Sequence, residues 1–277
     1  MANYSPNRVA SLQPSATVVL ERIGMLNRLV ACTKWCRDVC PAISELRECC
    51  TIADSWSSKA DEIVAAKPDL VIASVPYRQE SLAEILKSGI PVVALAPKSL
   101  ADIYKDIALI AGTMGVPERA ELVIAPMQSA IEAVSAMTKN LARPRVFCEE
   151  WGKPIIHSQH WVKELVEAAG GKFIGDPGAT ADPQTLGMQP PEVVIAAWCG
   201  AGDRVPLEKI IRDRHWHDTP AAKSGRVYCI RDEFLNTPAP TLVEGLHAVA
   251  AAIHPELFPQ PAGLRRIAQP HHAERAG

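Results

Sequence analysis

No stretch of the chain approaches the roughly 18 consecutive apolar residues of a membrane-spanning helix, which excludes an integral helical membrane protein. Neither sign of charge is in excess: 29 Lys and Arg face 31 Asp and Glu, for a net charge of -2. A nucleic-acid protein needs a basic surface that releases counterions from phosphates, so that class is excluded as well. Residues 1–20 carry no leader pattern, because Asn7, Arg8, Ser11, Gln13 and Pro14 interrupt every apolar core that a leader would need. The chain therefore reads as cytoplasmic, or as a mature form whose leader has been removed. Catalytic signatures are missing too. There is no nucleophile elbow, P-loop, GxGxxG or carboxylate pair at persuasive spacing, and GAGDRVP at 200–206 makes a poor phosphate loop. A binding protein is expected, not an enzyme. Aromatic residues make up only 5% of the chain, so the position of each one carries information.

What is present is ordinary globular composition, 48% hydrophobic and 22% charged, in 277 residues, a length that suits about two domains. Strand and helix signals alternate. The clearest strand is DLVIASV at 69–75, a nearly continuous β-branched run of the kind buried on both faces. Ser15 can cap a first helix, and the Cys-rich, charged segment 34–50 reads as irregular. Residues 117–140 read as one long helix that Pro126 should kink or split. A second αβ series follows, and the Pro-containing polar tail from residue 259 reads as disordered. DEIVAAKPDLVIAS at 61–74 is echoed by PQTLGMQPPEVVIA at 183–196, each a helical turn, a proline and a buried strand. The expected fold is α/β: two Rossmann-like lobes, 1–116 and 142–258, joined by one long interlobe helix over 117–141. Ligands of parallel sheets bind beyond the carboxyl ends of the strands, which predicts a cleft between the lobes.

Several segments in this order carry a family resemblance: RVASLQPSATVVLERIG, ADEIVAAKPDLVIAS, a helix ending SG before IPVVAL, RVFCEEWGKPIIHSQHWVKELVEAAGG, and VYCIRDEFLNTPAPTLVEGLHAVA. The chain resembles the helical-backbone substrate-binding proteins of cobalamin and ferric-siderophore ABC importers over about residues 8–257. The segment from Glu150 to Gly171 looks most like the cobalamin-binding branch. The resemblance implies a monomer that captures a large metal chelate without chemistry, has no intrinsic cofactor, and hands its ligand to an ABC permease. That ligand would be a corrinoid such as cobalamin or, as the next choice, a ferric siderophore or haem. It also implies a periplasmic location if a leader was removed.

A large amphipathic ligand calls for aromatic faces and a few polar groups. By resemblance, Trp56 packs on the ligand from its loop, and Trp35 and Cys36 fall in a segment that supplies contacts. Trp151 and Trp198 end strands at their carboxyl ends; for each tryptophan the alternative is core or lobe packing. Asp232 matches an acidic contact of the family, with Asn236 close by, while a basic residue often found near Asn236 is absent; alternatively, Asp232 is a turn residue or cap. His157 could face the cleft and meet a metal or an amide, or be a packed histidine. The family docks on its transporter through a surface carboxylate on each lobe. Asp61, with Glu62 beside it, matches the first, and Gln184 stands at the second without a charge.

Five of the eight cysteines, Cys32, Cys36, Cys40, Cys49 and Cys50, fall between residues 32 and 50 in no zinc-ribbon or ferredoxin spacing. Free buried thiols or one local disulfide would explain them. A metal-thiolate or redox site in a cytoplasmic protein is the competing function.

Overall fold

A computed structural model describes residues 5–53, 59–75, 79–181 and 183–268. The chain divides into two compact units, Met1–Ser129 with Thr237–Thr241, and Ala130–Asn236 with Leu242–Gly277.

In the first unit, β1 (Val9–Ser11), β2 (Leu29–Thr33), β3 (Cys50–Ile52), β4 (Leu70–Ser74) and β5 (Val92–Leu95) form an all-parallel sheet in the order β3-β2-β1-β4-β5. The connecting helices are α1 (Pro14–Arg22), α2 (Lys34–Val39), α3 (Ala60–Ala65), α4 (Gln79–Lys87) and α5 (Leu100–Thr113). Every residue of β1, β2 and β4 is buried, as an apolar parallel strand covered on both faces requires. Each fully buried Val, Leu or Ile there contributes about 1.5–3 kcal/mol. Ala10, Leu12, Ile52, Ile63, Val71 and Ile85 share one core cluster. Pro14 takes the first helical position of α1, which places Ser15, the expected cap, inside the helix. The expected irregular stretch 34–50 is instead α2, a 3-10 turn (Pro41–Glu45) and the start of edge strand β3. The Thr33 hydroxyl starts α2 by accepting from the Cys36 N–H. Alternating polar and sulfur residues had concealed that short helix.

The border between the units falls within α6 (Arg119–Thr138), which runs through Pro126 as one helix and is not split. Proline removes a single i to i−4 bond. The buried side chains on either side of it, Val123, Ile124, Met127 and Val134, hold the helix together.

In the second unit, β6 (Arg145–Gly152) lies parallel to β8 (Lys172–Phe173) and β9 (Val193–Ala196), and β9 lies parallel to β10 (Val227–Ile230). Antiparallel β7 (Ile155–His157) and β11 (Leu264–Arg266) complete the order β11-β10-β9-β6-β7, with β8 also paired to β6. The helices are α7 (His160–Ala168), α8 (Pro183–Met188), α9 (Leu207–Asp213), α10 (Pro220–Lys223), α11 (Glu233–Asn236) and α12 (Leu242–Ile253). Phe147, Val194, Val205, Ile210 and Val227 lie in its core. The expectation of disorder from residue 259 is corrected by β11. Leu264 is buried, and the Arg265 and Arg266 side chains donate to the carbonyls of Asp203, Gly225 and Ser224. Residues 269–277 lie outside the described residues. No described helix is long and apolar enough to cross a membrane.

Candidate functional site

Three adjacent parallel strands of the second unit end side by side. In the last residues of β6 stand Glu150 and Trp151, beyond β9 stand Trp198 and Cys199, and beyond β10 stand Asp232 and, through α11, Asn236. The ladder continues past the end of β9. The Ala197 N–H donates to the Glu149 carbonyl at 2.9 Å, and the Cys199 N–H donates to the Glu150 carbonyl at 3.1 Å. The tips are thus held in register by backbone bonds.

Beneath them lies a buried ionic knot. The Glu149 carboxylate is fully buried and accepts from Arg214 Nη1 at 2.5 Å, Arg214 Nη2 at 3.2 Å and Trp198 Nε1 at 2.8 Å. Burial pushes the Glu149 pKa up, and Arg214 and Trp198 oppose that shift. The Trp198 ring lies on Gly152, where an added Cβ would sit 2.4 Å from it, so only glycine allows the contact. Trp198 is therefore a braced residue whose N–H is committed to Glu149.

Trp151 is 44% exposed, and its Nε1 donates to the Lys153 carbonyl at 2.8 Å. With its one polar atom satisfied by its own hairpin, the apolar ring stands open. Glu150 accepts from Gln159 Nε2 at 2.7 Å, and burial pushes its pKa up to about 7. The Asp232 carboxylate accepts from the Gly200 and Gly202 N–H groups at 2.7 and 2.8 Å and so staples the loop after β9. Asn236 donates to the Ala197 carbonyl at 2.7 Å and to Cys199 Sγ at 3.3 Å, while its buried Oδ1 has no hydrogen-bond partner among the described residues. Burial, with Glu150 and Asp232 nearby, pushes the Cys199 thiol up to about 12 and keeps it neutral.

The structure thus brings Trp151, Trp198, Asp232 and Asn236 to one edge. His157 is not among them. Its ring is buried against Phe147, 5.2 Å away at 72°, and lines a separate cavity of about 140 Å³ with Ile174, Gly175, Asp176 and Thr180. Burial lowers its pKa, so the imidazole is neutral. In the first unit, Trp35 is 37% exposed at the start of α2, with Lys34 Nζ 4.3 Å from its ring centroid, and the next residue, Cys36, is fully buried. Trp56 lies outside the described residues. Asp61 and Glu62 lie in the first turn of α3, where Glu62 also accepts from the Ala53 N–H at 3.1 Å. Gln184 falls in the corresponding turn of α8. All eight cysteines are free thiols. Among the described residues, no group of three or more His, Cys, Asp or Glu could hold a metal ion.

Sequence reasoning passed over Glu149, Glu150, Arg214 and Gln159. The signal was the Glu-Glu pair inside an otherwise apolar strand, RVFCEEWG, where an acid needs a partner that only the fold supplies.

The chain matches the periplasmic binding protein family over residues 9–234. An uncharacterized ABC transporter substrate-binding lipoprotein of Bacillus subtilis (strain 168) is 23% identical over 91% of this chain and 82% of its own length. The vitamin B12-binding protein of Vibrio parahaemolyticus is 24% identical over 89% of each chain. The solved periplasmic heme binding protein from Pseudomonas aeruginosa superposes with a TM-score of 0.83 at 19% identity, covering 95% of this chain and 99% of that one, a likeness of fold alone. Two parallel-sheet units, a long helix spanning their border and this match together identify the chain as a member of the periplasmic binding protein family, a solute-binding protein of ABC importers.

Proposed function

We propose that the protein captures a corrinoid of the cobalamin class outside the cytoplasmic membrane and delivers it, chemically unchanged, to an ABC permease. The observation that carries this reading is the chemistry of the second unit's strand tips. An open indole, Trp151, stands beside the unpartnered amide oxygen of Asn236 and the carboxyl groups of Glu150 and Asp232. A corrinoid is a flat apolar macrocycle fringed with neutral amides. It offers a face for the indole to stack on and N–H groups for the side-chain oxygens to accept.

Haem is the second reading, favoured by the fold likeness to a heme binding protein. Haem carries propionates that call for cations. At these tips Arg214 is engaged by Glu149 and Arg231 is paired with Glu233, so the edge leans acidic. That charge favours the amide-rich ligand. The single carboxylate position at Asp61, with Gln184 as its neutral counterpart, supports docking onto a permease chiefly through the first unit.

The test is titration with cyanocobalamin and with hemin, followed by tryptophan fluorescence. The corrinoid should bind and quench, and Trp151→Ala should weaken it at least tenfold. Corrinoid affinity no better than about 1 mM, under roughly 4 kcal/mol, overturns the reading. Tight hemin binding alone would establish the second.

A further inference from the structure

The first unit holds three thiols in contact. Cys32 is fully buried in β2, and Cys49 is 8% exposed just before edge strand β3. Cys36, fully buried, lies in the first turn of α2. Cys49 Sγ lies 3.6 Å from Cys32 Sγ, and Cys36, which also acts on the Cys32 thiol, has its Sγ 3.2 Å from Thr33 Oγ1. The proposed ligand capture gives no role to Cys32 or Cys49.

We propose that Cys32 and Cys49 are a reversible disulfide site that ties edge strand β3 to β2, oxidised by thiol–disulfide exchange with a small-molecule or protein disulfide. Three further observations support it. The Arg37 guanidinium is anchored beside Cys49, with Nη2 donating to the Cys49 carbonyl at 2.7 Å and Nε to Thr51 Oγ1 at 2.7 Å. The hydrogen bond with Cys32 and the charge of Arg37 lower the Cys49 pKa, which raises its share of the nucleophilic thiolate. β3 is a three-residue edge strand, the kind of element that opens locally at low cost and admits a reagent. The family works in compartments where disulfides persist, so an oxidant of this class is at hand.

The exchange balances. The Cys49 thiolate attacks one sulfur of the external disulfide, forming a mixed disulfide and expelling one thiolate. The Cys32 thiol gives up its proton to that thiolate. Its own thiolate then attacks the Cys49 sulfur and expels the second external thiolate, which takes the proton that Cys49 had released. Two protein thiols are oxidised to one disulfide, and one external disulfide is reduced to two thiols.

Oxidised glutathione added to the folded full chain tests this, with unfolding, iodoacetamide alkylation and tryptic mass mapping afterwards. Trypsin places Cys32 in residues 29–34, Cys36 in residues 35–37, Cys40 in residues 38–47, and Cys49 with Cys50 in residues 48–59. The expected product is peptide 29–34 linked to peptide 48–59. It should persist in Cys50→Ser, be lost in Cys32→Ser and in Cys49→Ser, and be reversed by dithiothreitol. Carbamidomethylation of both Cys32 and Cys49 after oxidation, or a link from 29–34 to 35–37 in its place, overturns the proposal. Corrinoid binding plays no part in the readout, so this result and the ligand result stand or fall separately.

Discussion

Glu149 and Glu150 are consecutive in sequence and opposite in circumstance. Glu149 is fully buried with the Arg214 guanidinium and the Trp198 N–H on its carboxyl group, while Glu150 has a neutral partner, Gln159, and a pKa raised to about 7. A carboxyl whose folded pKa is raised binds its proton more tightly folded than unfolded. Its contribution to stability is therefore complete below the unfolded value of 4.5 and is lost as pH climbs through about 7. Thermal unfolding of the wild type should show this loss between about pH 5 and about pH 8 relative to Glu150→Gln, which has no proton to release. A wild-type-minus-variant difference in Tm that does not change with pH would remove Glu150 from this role. At the same scale, Trp151, Trp198 and Asp232 at the strand ends were legible in sequence as residue types at plausible places, whereas Glu149 and Glu150 were not. Their partners were not: the Asp232 clamp on Gly200 and Gly202 joins positions about 30 residues apart, and the Glu149–Arg214 pair spans 65.

Among the elements, α12 is nearly all apolar, and Gly245 marks where it meets α11. An added Cβ there would lie 2.1 Å from the Phe234 carbonyl oxygen and 2.9 Å from a Leu235 methyl carbon. The obstruction is backbone, so a side chain cannot yield by changing rotamer. Gly245→Ala gains up to about 1 kcal/mol of helix propensity and incurs about 1–3 kcal/mol or more of overpacking. A lower urea midpoint is expected, and an unchanged or higher one would show that α11 can move away. α11 positions Asn236, so the same variant should loosen the candidate site. Long buried strands such as LVIAS and VVIA were readable from their β-branched runs, because burial on both faces leaves no alternation to misread. Short elements were not. α2, β3, β7 and β11 are six residues or fewer and owe their shape to neighbours: a Thr33 cap, an Arg37 anchor, a hairpin return and a pair of arginines on carbonyls.

For the whole molecule, a ligand that binds the folded chain alone shifts its unfolding by mass action. A corrinoid at about a hundred times its Kd should stabilise the protein by about 2.7 kcal/mol, raising Tm by several degrees. Hemin at the same concentration as the corrinoid should leave Tm where it was. The reverse pattern would replace the corrinoid with haem. The internal echo between residues 61–74 and 183–196 did foretell two similar units, since each segment becomes a short helix followed by a buried parallel strand, α3–β4 and α8–β9. Local order alone thus set the alternation of strand and helix, the parallel pairing of the first sheet and of the central strands of the second, and the lack of a membrane-crossing helix among the described residues, because hydrophobic periodicity and chain-breaking prolines act over neighbouring residues. Tertiary structure alone decided which side chains meet: the burial of Glu149 on Arg214, the bracing of Trp198 on Gly152, the withdrawal of His157 into the core, and the contact of Cys32 with Cys49. Those pairings depend on strand order and register, which bring distant residues within a few ångströms and leave no trace in spacing along the chain.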